Sequence, residues 1–276
     1  MKLRPKQNLS ELLAAELHKP VIKKFTKRKI ITTGINEIWA GDLLIMSNYS
    51  KENRGYKYML VVIDTFSKVL WIKPIKEKTG KEVSQAFEKI IGESQYGPPQ
   101  KLHIDKGTEF VNSVFRKLME KYNIHMYHTE NEEKSAIAER VIRTINGMLR
   151  IIFEIHKNHK WVPFIPQILH KYNNVNVHRT IGMRPCDVNK KNEQEIRTRM
   201  YPSGSVKKPK FKEGDRVRIP KKKETFDNKY KNNWTREIFV VDKIFHTNPP
   251  VYSIEDLHGE KIVGKFYREE LQKTAF

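Results

Sequence analysis

The chain has 276 residues, 38% of them hydrophobic, which is enough for one or two cores of modest size. Its 53 Lys and Arg against 32 Asp and Glu give a formal net charge of +21 at pH 7, which points to a polyanionic partner. The single cysteine, Cys186, excludes an intramolecular disulfide and any multi-cysteine zinc site, so no zinc is expected. No run of about 20 apolar residues is present to span a membrane. The N-terminal cations Lys2, Arg4 and Lys6 have no apolar stretch behind them and do not form a secretory signal, so the protein is expected inside the cell.

Positive charge is spread along the chain. Residues 1–35 carry 9 basic and 2 acidic side chains, residues 36–200 carry 27 and 19, and residues 201–276 carry 17 and 11. An excess in every region suits an extended polyanion touching several surfaces, and nucleic acid is the expected one.

In chain order, a short amphipathic helix is predicted over Leu9–His18, followed by the cluster Lys23, Lys24, Lys27, Arg28 and Lys29, either a phosphate-binding arm, a nuclear import signal or a solvated basic stretch. Three runs rich in β-branched and aromatic residues read as strands: Ile38–Met46, Tyr56–Asp64 and Val69–Ile75. Their short connections predict an antiparallel meander. A helix from Lys81 to Glu93, a strand through Leu102, His103 and Ile104, a helix Val111–Lys121 and a strand Ile124–Thr129 follow. A long helix from Ala136 to about Ile155 and a helical stretch near Trp161–Asn173 complete an α/β pattern, a mixed sheet flanked by helices. The polar segment 190–209 reads as a linker, and four short strand candidates after it predict a small β-barrel.

Three carboxylates stand out. Asp42 lies in mid-strand on the face of Ala40 and Leu44, a costly position unless the group is paired or metal-bound. Asp105 ends a strand, where it could hold a ligand or cap a turn. Glu139 opens the long helix, and with Arg143, Asn146 and Arg150 it forms one polar stripe, opposite an apolar stripe of Ile137, Val141, Ile145, Met148 and Ile152. Taken alone, Glu139 could equally be an ordinary helix carboxylate paired with Arg143.

The segments HIDKGTEF (103–110) and TENEEKSAIAERVIRTI (129–145), with 33 residues between Asp105 and Glu139, resemble the second half of the catalytic core of retroviral-type integrases and DDE transposases. WAGDLL (39–44) resembles the strand that supplies the first aspartate, and Tyr172–Val188 the family's closing segment. The variant TENEEKS and the tail from Asn232 look most like the integrases of Maverick/Polinton DNA transposons, with long-terminal-repeat retrotransposons as nearest relatives.

The resemblance implies an RNase H-like core over 36–189 in which Asp42, Asp105 and Glu139 bind two Mg²⁺ or Mn²⁺ ions. The implied activity is processing of element DNA ends and joining of the 3′-hydroxyl to target DNA. Lys134, Arg140 and Arg143 are the expected phosphate contacts in the core. Asp64 is expected to be structural, and Glu109 to support the site. A basic arm (1–35) precedes the core, and an SH3-like barrel (210–276) follows it. The barrel's entry, Lys207, Lys208, Lys210, Lys212, Arg216, Arg218, Lys221, Lys222 and Lys223, is the expected DNA-binding stretch. Trp234, Phe239, Tyr252, Phe266 and Tyr267 are its expected core. The family also implies double-stranded DNA as partner, a tetramer or larger assembly on it and a nuclear site of action; contact with chromatin is a separate expectation. The family's N-terminal zinc module has no counterpart here. Two other functions fit the composition: a domesticated, inactive DNA or chromatin binder, and a plain RNase H-like nuclease.

Overall fold

The computed structural model describes residues 8–28, 31–105, 107–127, 136–202, 208–221 and 230–276. Two compact units divide the chain: one is 31–203, and the other joins the N-terminal stretch to 204–276. The N-terminal helix α1 (Leu9–His18) is capped by Asn8, whose side chain accepts the Ser10 N–H.

Strands β1 (Ile38–Ile45), β2 (Tyr58–Asp64) and β3 (Leu70–Ile75) form the antiparallel meander expected from their short connections. Helix α2 (Gly80–Glu93) starts at Thr79, whose hydroxyl accepts the Glu82 N–H. Strand β4 (Lys101–His103), helix α3 (Ser113–Lys121, capped by Asn112) and strand β5 (His125–Tyr127) follow. β4 adds to β1 in parallel and β5 to β4 in parallel, so the sheet order is β3-β2-β1-β4-β5. The long helix α4 (Ala136–His156), helix α5 (Ile165–His170) and helix α6 (Glu193–Met200) complete this unit.

Strand alternation sorts the sheet's side chains onto two helical layers. Trp39, Leu60, Val62, Leu102 and Ile104 pack with Val83, Phe87 and Ile90 of α2 and Phe115 of α3. Ala40, Met59, Val61 and Ile63 pack with Val141, Ile145, Leu149 and Ile152 of α4 and Ile165 of α5. Gly41 packs tightly against the residue after β4: a Cβ there would lie 3.3 Å from Ile104 Cγ2. At the sheet edge, Asn173 substitutes for a strand: its Oδ1 accepts the Leu70 N–H and its Nδ2 donates to the Leu70 carbonyl, both at 2.9 Å.

The segment expected to be a linker differs from that expectation. Within 190–209, α6 buries Ile196 and Met200 against Ile35, Phe66, Ile181 and Val188. The composition is polar because only two residues of that helix face inward.

In the other unit, β6 (Arg216–Arg218), β7 (Phe239–Phe245), β8 (Val251–Glu255), β9 (Phe266–Tyr267) and β10 (Gln272–Lys273) form an antiparallel sheet, order β10-β6-β7-β8-β9. Its core holds Phe211, Val217, Phe239, Val241, Tyr252, Ile254 and Leu271. Trp234 and Tyr267 are also buried, and Phe266 partly so. The N-terminal stretch, read from sequence as a separate arm, packs here: Leu17 is buried, and its carbonyl accepts the Asn233 N–H at 2.9 Å. Among the described residues, no helix is long and apolar enough to cross a membrane.

Candidate active site

Asp42 follows Ala40 on the face of β1 that carries α4, with Leu44 partly buried against the same cluster. On α4 the helical period brings Glu139, Arg143, Asn146 and Arg150 to one side, while Ala138, Val141, Ile145, Leu149 and Ile152 are buried on the other. These four polar residues, Asp42 and Leu43–Ile45 line one open groove of about 580 Å³. The stripe read from sequence therefore faces the first of the three carboxylates. Asp42 is half-buried and its Oδ1 accepts the Leu43 N–H at 2.7 Å, while Glu139 and Arg143 are exposed.

Asp105 lies just past β4. Ala40 pairs with His103 in the parallel ladder, so Asp42 and Asp105 each stand two residues beyond a matched pair. Leu102 and Ile104 point into the α2–α3 layer, which gives Asp105 the opposite face, the one that carries α4. The side chain is exposed, and its Oδ1 accepts the Gly107 N–H at 3.0 Å. It therefore makes the turn contact, and it stands at the end of the strand that pairs with β1. Among the described residues, no group of three His, Cys, Asp or Glu side chains is arranged to hold a metal ion. Lys134, Glu130, Glu132 and Glu133 lie outside the described residues.

Sequence reasoning missed one contributor, Lys78. Glu109 is buried at 4% exposure, and its Oε1 lies 2.9 Å from Lys78 Nζ, at the start of the segment leading into α2. The Glu109 hydrogen bond and charge, with the charge of Asp105, raise the Lys78 pKa. A Cβ on Gly107 would lie 2.6 Å from the Glu109 carboxylate, so a larger residue there would push on this side chain and its ion pair with Lys78. No local signal ties Lys78 to Glu109, since the pair is made by the packing of two separate loops.

A cationic group lies on the α4 side as well. Lys68, in a left-handed turn at φ 66°, is buried, and its ammonium donates to the Thr65 carbonyl. Burial lowers its pKa to about 8, with Asp64 opposing the shift and Arg140 adding to it. His178 is lowered to about 4 by burial and by the charges of Lys68 and Arg140. Asp64 is fully buried and accepts from the Ser67 hydroxyl at 2.6 Å and the Phe66 N–H at 3.1 Å, the contacts of a turn-forming residue.

Of the remaining expected cations, Arg140 is exposed in the core, and Lys208, Lys210, Lys212, Arg216 and Lys221 are exposed in the other unit. Arg218 requires correction. It is 1% exposed, lies 3.4 Å from Glu16 Oε2 and donates to the Thr235 and Arg236 carbonyls, so it is a buried structural cation and not a DNA contact. Lys207, Lys222 and Lys223 lie outside the described residues.

Residues 32–133 match the family model described as the integrase core domain. The match supports placing this stretch in the superfamily of retroviral-type integrases and DDE transposases. A transposon-derived protein of Caenorhabditis elegans is 36% identical over 195 residues, 71% of this chain and 66% of its own length. Tf2 transposon polyproteins of Schizosaccharomyces pombe are 27% identical over 143 residues, 50% of this chain and 10% of theirs. The chain thus spans just under two thirds of the worm relative and a tenth of the yeast polyproteins. A chain from the intasome of simian T-cell lymphotropic virus, solved with PP2A regulatory subunit B56 gamma, shares the fold at a TM-score of 0.66 and 15% identity, covering 95% of this chain and 87% of that one.

Proposed function

We propose that the protein is a metal-dependent DNA integrase that processes element ends and joins the 3′-hydroxyl to target DNA. The observation that carries the reading is the groove shared by Asp42 on β1 and Glu139 on α4, with Asp105 two residues past the matched Ala40–His103 pair.

The donor chemistry suits hard divalent cations, which prefer carboxylate oxygens; Asp42 and Glu139 line one groove and Asp105 lies outside its lining, so Asp105 would have to close on the groove for the three to hold two Mg²⁺ or Mn²⁺ ions. When bound, such a pair activates the attacking water or hydroxyl and offsets charge on the leaving oxygen. The rest falls to side chains of the chain itself. Arg143, Arg150 and Asn146 line the groove beside the carboxylates and orient the phosphodiester by charge and hydrogen bonding. Holding the DNA end so removes much of the entropic barrier to attack.

The antiparallel sheet of the second unit, with a 3-10 turn (Arg268–Glu270) between its last two strands, supports the SH3-like reading of that unit. Its exposed lysines would bind the DNA backbone without reading its sequence. Action on double-stranded DNA as a tetramer or larger assembly, in the nucleus and in contact with chromatin, belongs to the same proposal, as does a Maverick/Polinton origin.

The test is a joining assay on duplex oligonucleotides carrying the terminal sequences of the chain's own element, with Mg²⁺ or Mn²⁺ added. Joining by the wild type, lost in Asp105→Asn and on chelation, is the expected result. Cutting without joining would reduce the protein to a nuclease, and binding alone to a DNA-binding protein.

A further inference from the structure

Helix α1 has ten residues; Leu17 is the buried one, while Leu9 and Leu12 are exposed. A helix this short is marginal in water without outside contacts. Its contacts gather at the C-terminal end, where the last carbonyls of a helix lack their usual N–H partners. The second unit brings donors to them. Gln272 Nε2 donates to the Glu16 carbonyl at 3.0 Å, and the Asn233 and Trp234 N–H groups donate to the Leu17 carbonyl at 2.9 and 3.2 Å. Asn233 Nδ2 donates to the His18 carbonyl at 2.9 Å, and the Trp234 indole N–H to the Lys19 carbonyl at 2.8 Å. Asn233 and Trp234 are held for this by an antiparallel extension past β6: the Lys221 N–H donates to the Asn233 carbonyl and the Thr235 N–H to the Ile219 carbonyl, both at 2.9 Å.

The dependence runs the other way as well. Arg218 on β6 is buried, and its ion-pair partner is Glu16, whose Oε2 lies 3.4 Å from Arg218 Nε. The same carboxylate accepts the Thr274 hydroxyl at 2.8 Å and the Ala275 N–H at 3.1 Å, just past β10. A buried guanidinium that loses its carboxylate is strongly destabilising. Helix end and sheet therefore complete each other.

We infer that the C-terminal sheet carries a peptide-binding site for the last turn of a helix that presents a carboxylate and open carbonyls, and that α1 of the same chain is its resident ligand. The second unit is then a domain of two segments, and it does not reach its native stability without α1. The inference is independent of the integrase reading, since no contact in it involves DNA or metal.

The experiment inserts a protease site between residues 29 and 30 of the full-length protein and cuts the folded chain there. The released N-terminal strap is expected to stay bound through gel filtration at about 10 µM protein, held without a covalent link. Glu16→Gln keeps the size of the side chain and removes its charge. It is expected to weaken retention by about a hundredfold or more, the scale of a buried pair that loses one member. In the uncut protein, the same variant speeds hydrogen exchange in α1, β6 and β10 and leaves β1 to β3 as in the wild type. Glu11→Gln removes a charge from the exposed first turn of α1 and is expected to change neither readout. Adding Arg218→Met to Glu16→Gln takes away the stranded cation, and part of the retention returns. A strap that leaves the cut wild type overturns the site, as does equal retention in Glu16→Gln and Glu11→Gln. A double variant no better than Glu16→Gln alone overturns the ion pair as the recognised contact. Failure of the integrase reading looks different: metal-dependent joining is absent while strap retention is unaltered.

Discussion

Lys78 Nζ lies 2.9 Å from Glu109 Oε1, and the Glu109 side chain is buried while that of Lys78 is 41% exposed. Among the described residues the second Glu109 oxygen is buried without a hydrogen-bond partner, so Lys78 is the group that makes this carboxylate tolerable. Lys78→Met is expected to destabilise the protein by about 1–3 kcal/mol, the cost of a buried polar group stripped of its partner, with Glu109→Gln costing less because a neutral amide needs no counter-charge. Urea denaturation of the two variants measures the difference. Equal effects would show that the pair carries no charge-specific role.

The same carboxylate sets a test at Gly107. An alanine Cβ would lie 2.6 Å from the Glu109 carboxylate, and either that side chain, with its ion pair to Lys78, or the turn whose N–H holds Asp105 would have to shift. Gly107→Ala is expected to reduce DNA joining at least tenfold, since a displacement of about 1 Å in a catalytic group costs up to a hundredfold. The readout is joining rate measured at a temperature where circular dichroism shows the variant folded.

Glu139 is exposed, and replacing it should cost little stability. Glu139→Gln is expected to leave stability within about 0.5 kcal/mol of the wild type while abolishing joining. Parallel thermal melts and joining assays check both halves, and joining retained at the wild-type level removes Glu139 from the site.

Asn53 illustrates a purely structural demand. It is buried; its Nδ2 donates to the Tyr49 and His159 carbonyls at 2.7 and 2.9 Å, and its Oδ1 accepts the Trp161 and Val162 N–H groups at 2.7 and 3.1 Å. Asn53→Ala is expected to cost about 2–4 kcal/mol, several hydrogen bonds at about 1 kcal/mol each, as measured by chemical denaturation.

Stability against pH follows from His178 and Lys68. His178 titrates at about 4 in the fold and near 6.5 when unfolded, so between those values the unfolded chain binds more protons and stability rises with pH. Protonation is then a loss: acidification from pH 6.5 towards 4 weakens the fold, and His178→Gln is expected to flatten that limb. Lys68, at about 8 against an ordinary 10.5, has the same sign in a higher window, adding stability as pH rises from 8 to 10.5. Denaturation midpoints of Lys68→Met and His178→Gln across both windows separate the two contributions.

Much of the site could be read along the chain. Asp42 shares a strand face with Ala40 and Leu44, and Glu139 shares a helix side with Arg143, Asn146 and Arg150. Both facts follow from backbone geometry that repeats every 2 or 3.6 residues. The limits of α1 and of β1 to β3 were legible for the same reason, to within about two residues at each end. Arg218 was not. Its spacing among other cations looked like a surface stretch, and only Glu16, 202 positions away, makes it a buried ion pair.

By itself, then, the order of residues determined which side chains share an element's face, and from that the α/β pattern and two of the three candidate carboxylates as one-sided groups. Tertiary structure decided what those faces meet: Asp42 across from α4, Lys78 under Glu109, and an N-terminal strap laid on the last sheet. Periodicity is a local property of backbone dihedrals. Contacts between distant segments depend on how the chain closes to bury its apolar layers, and no short window of sequence carries that information.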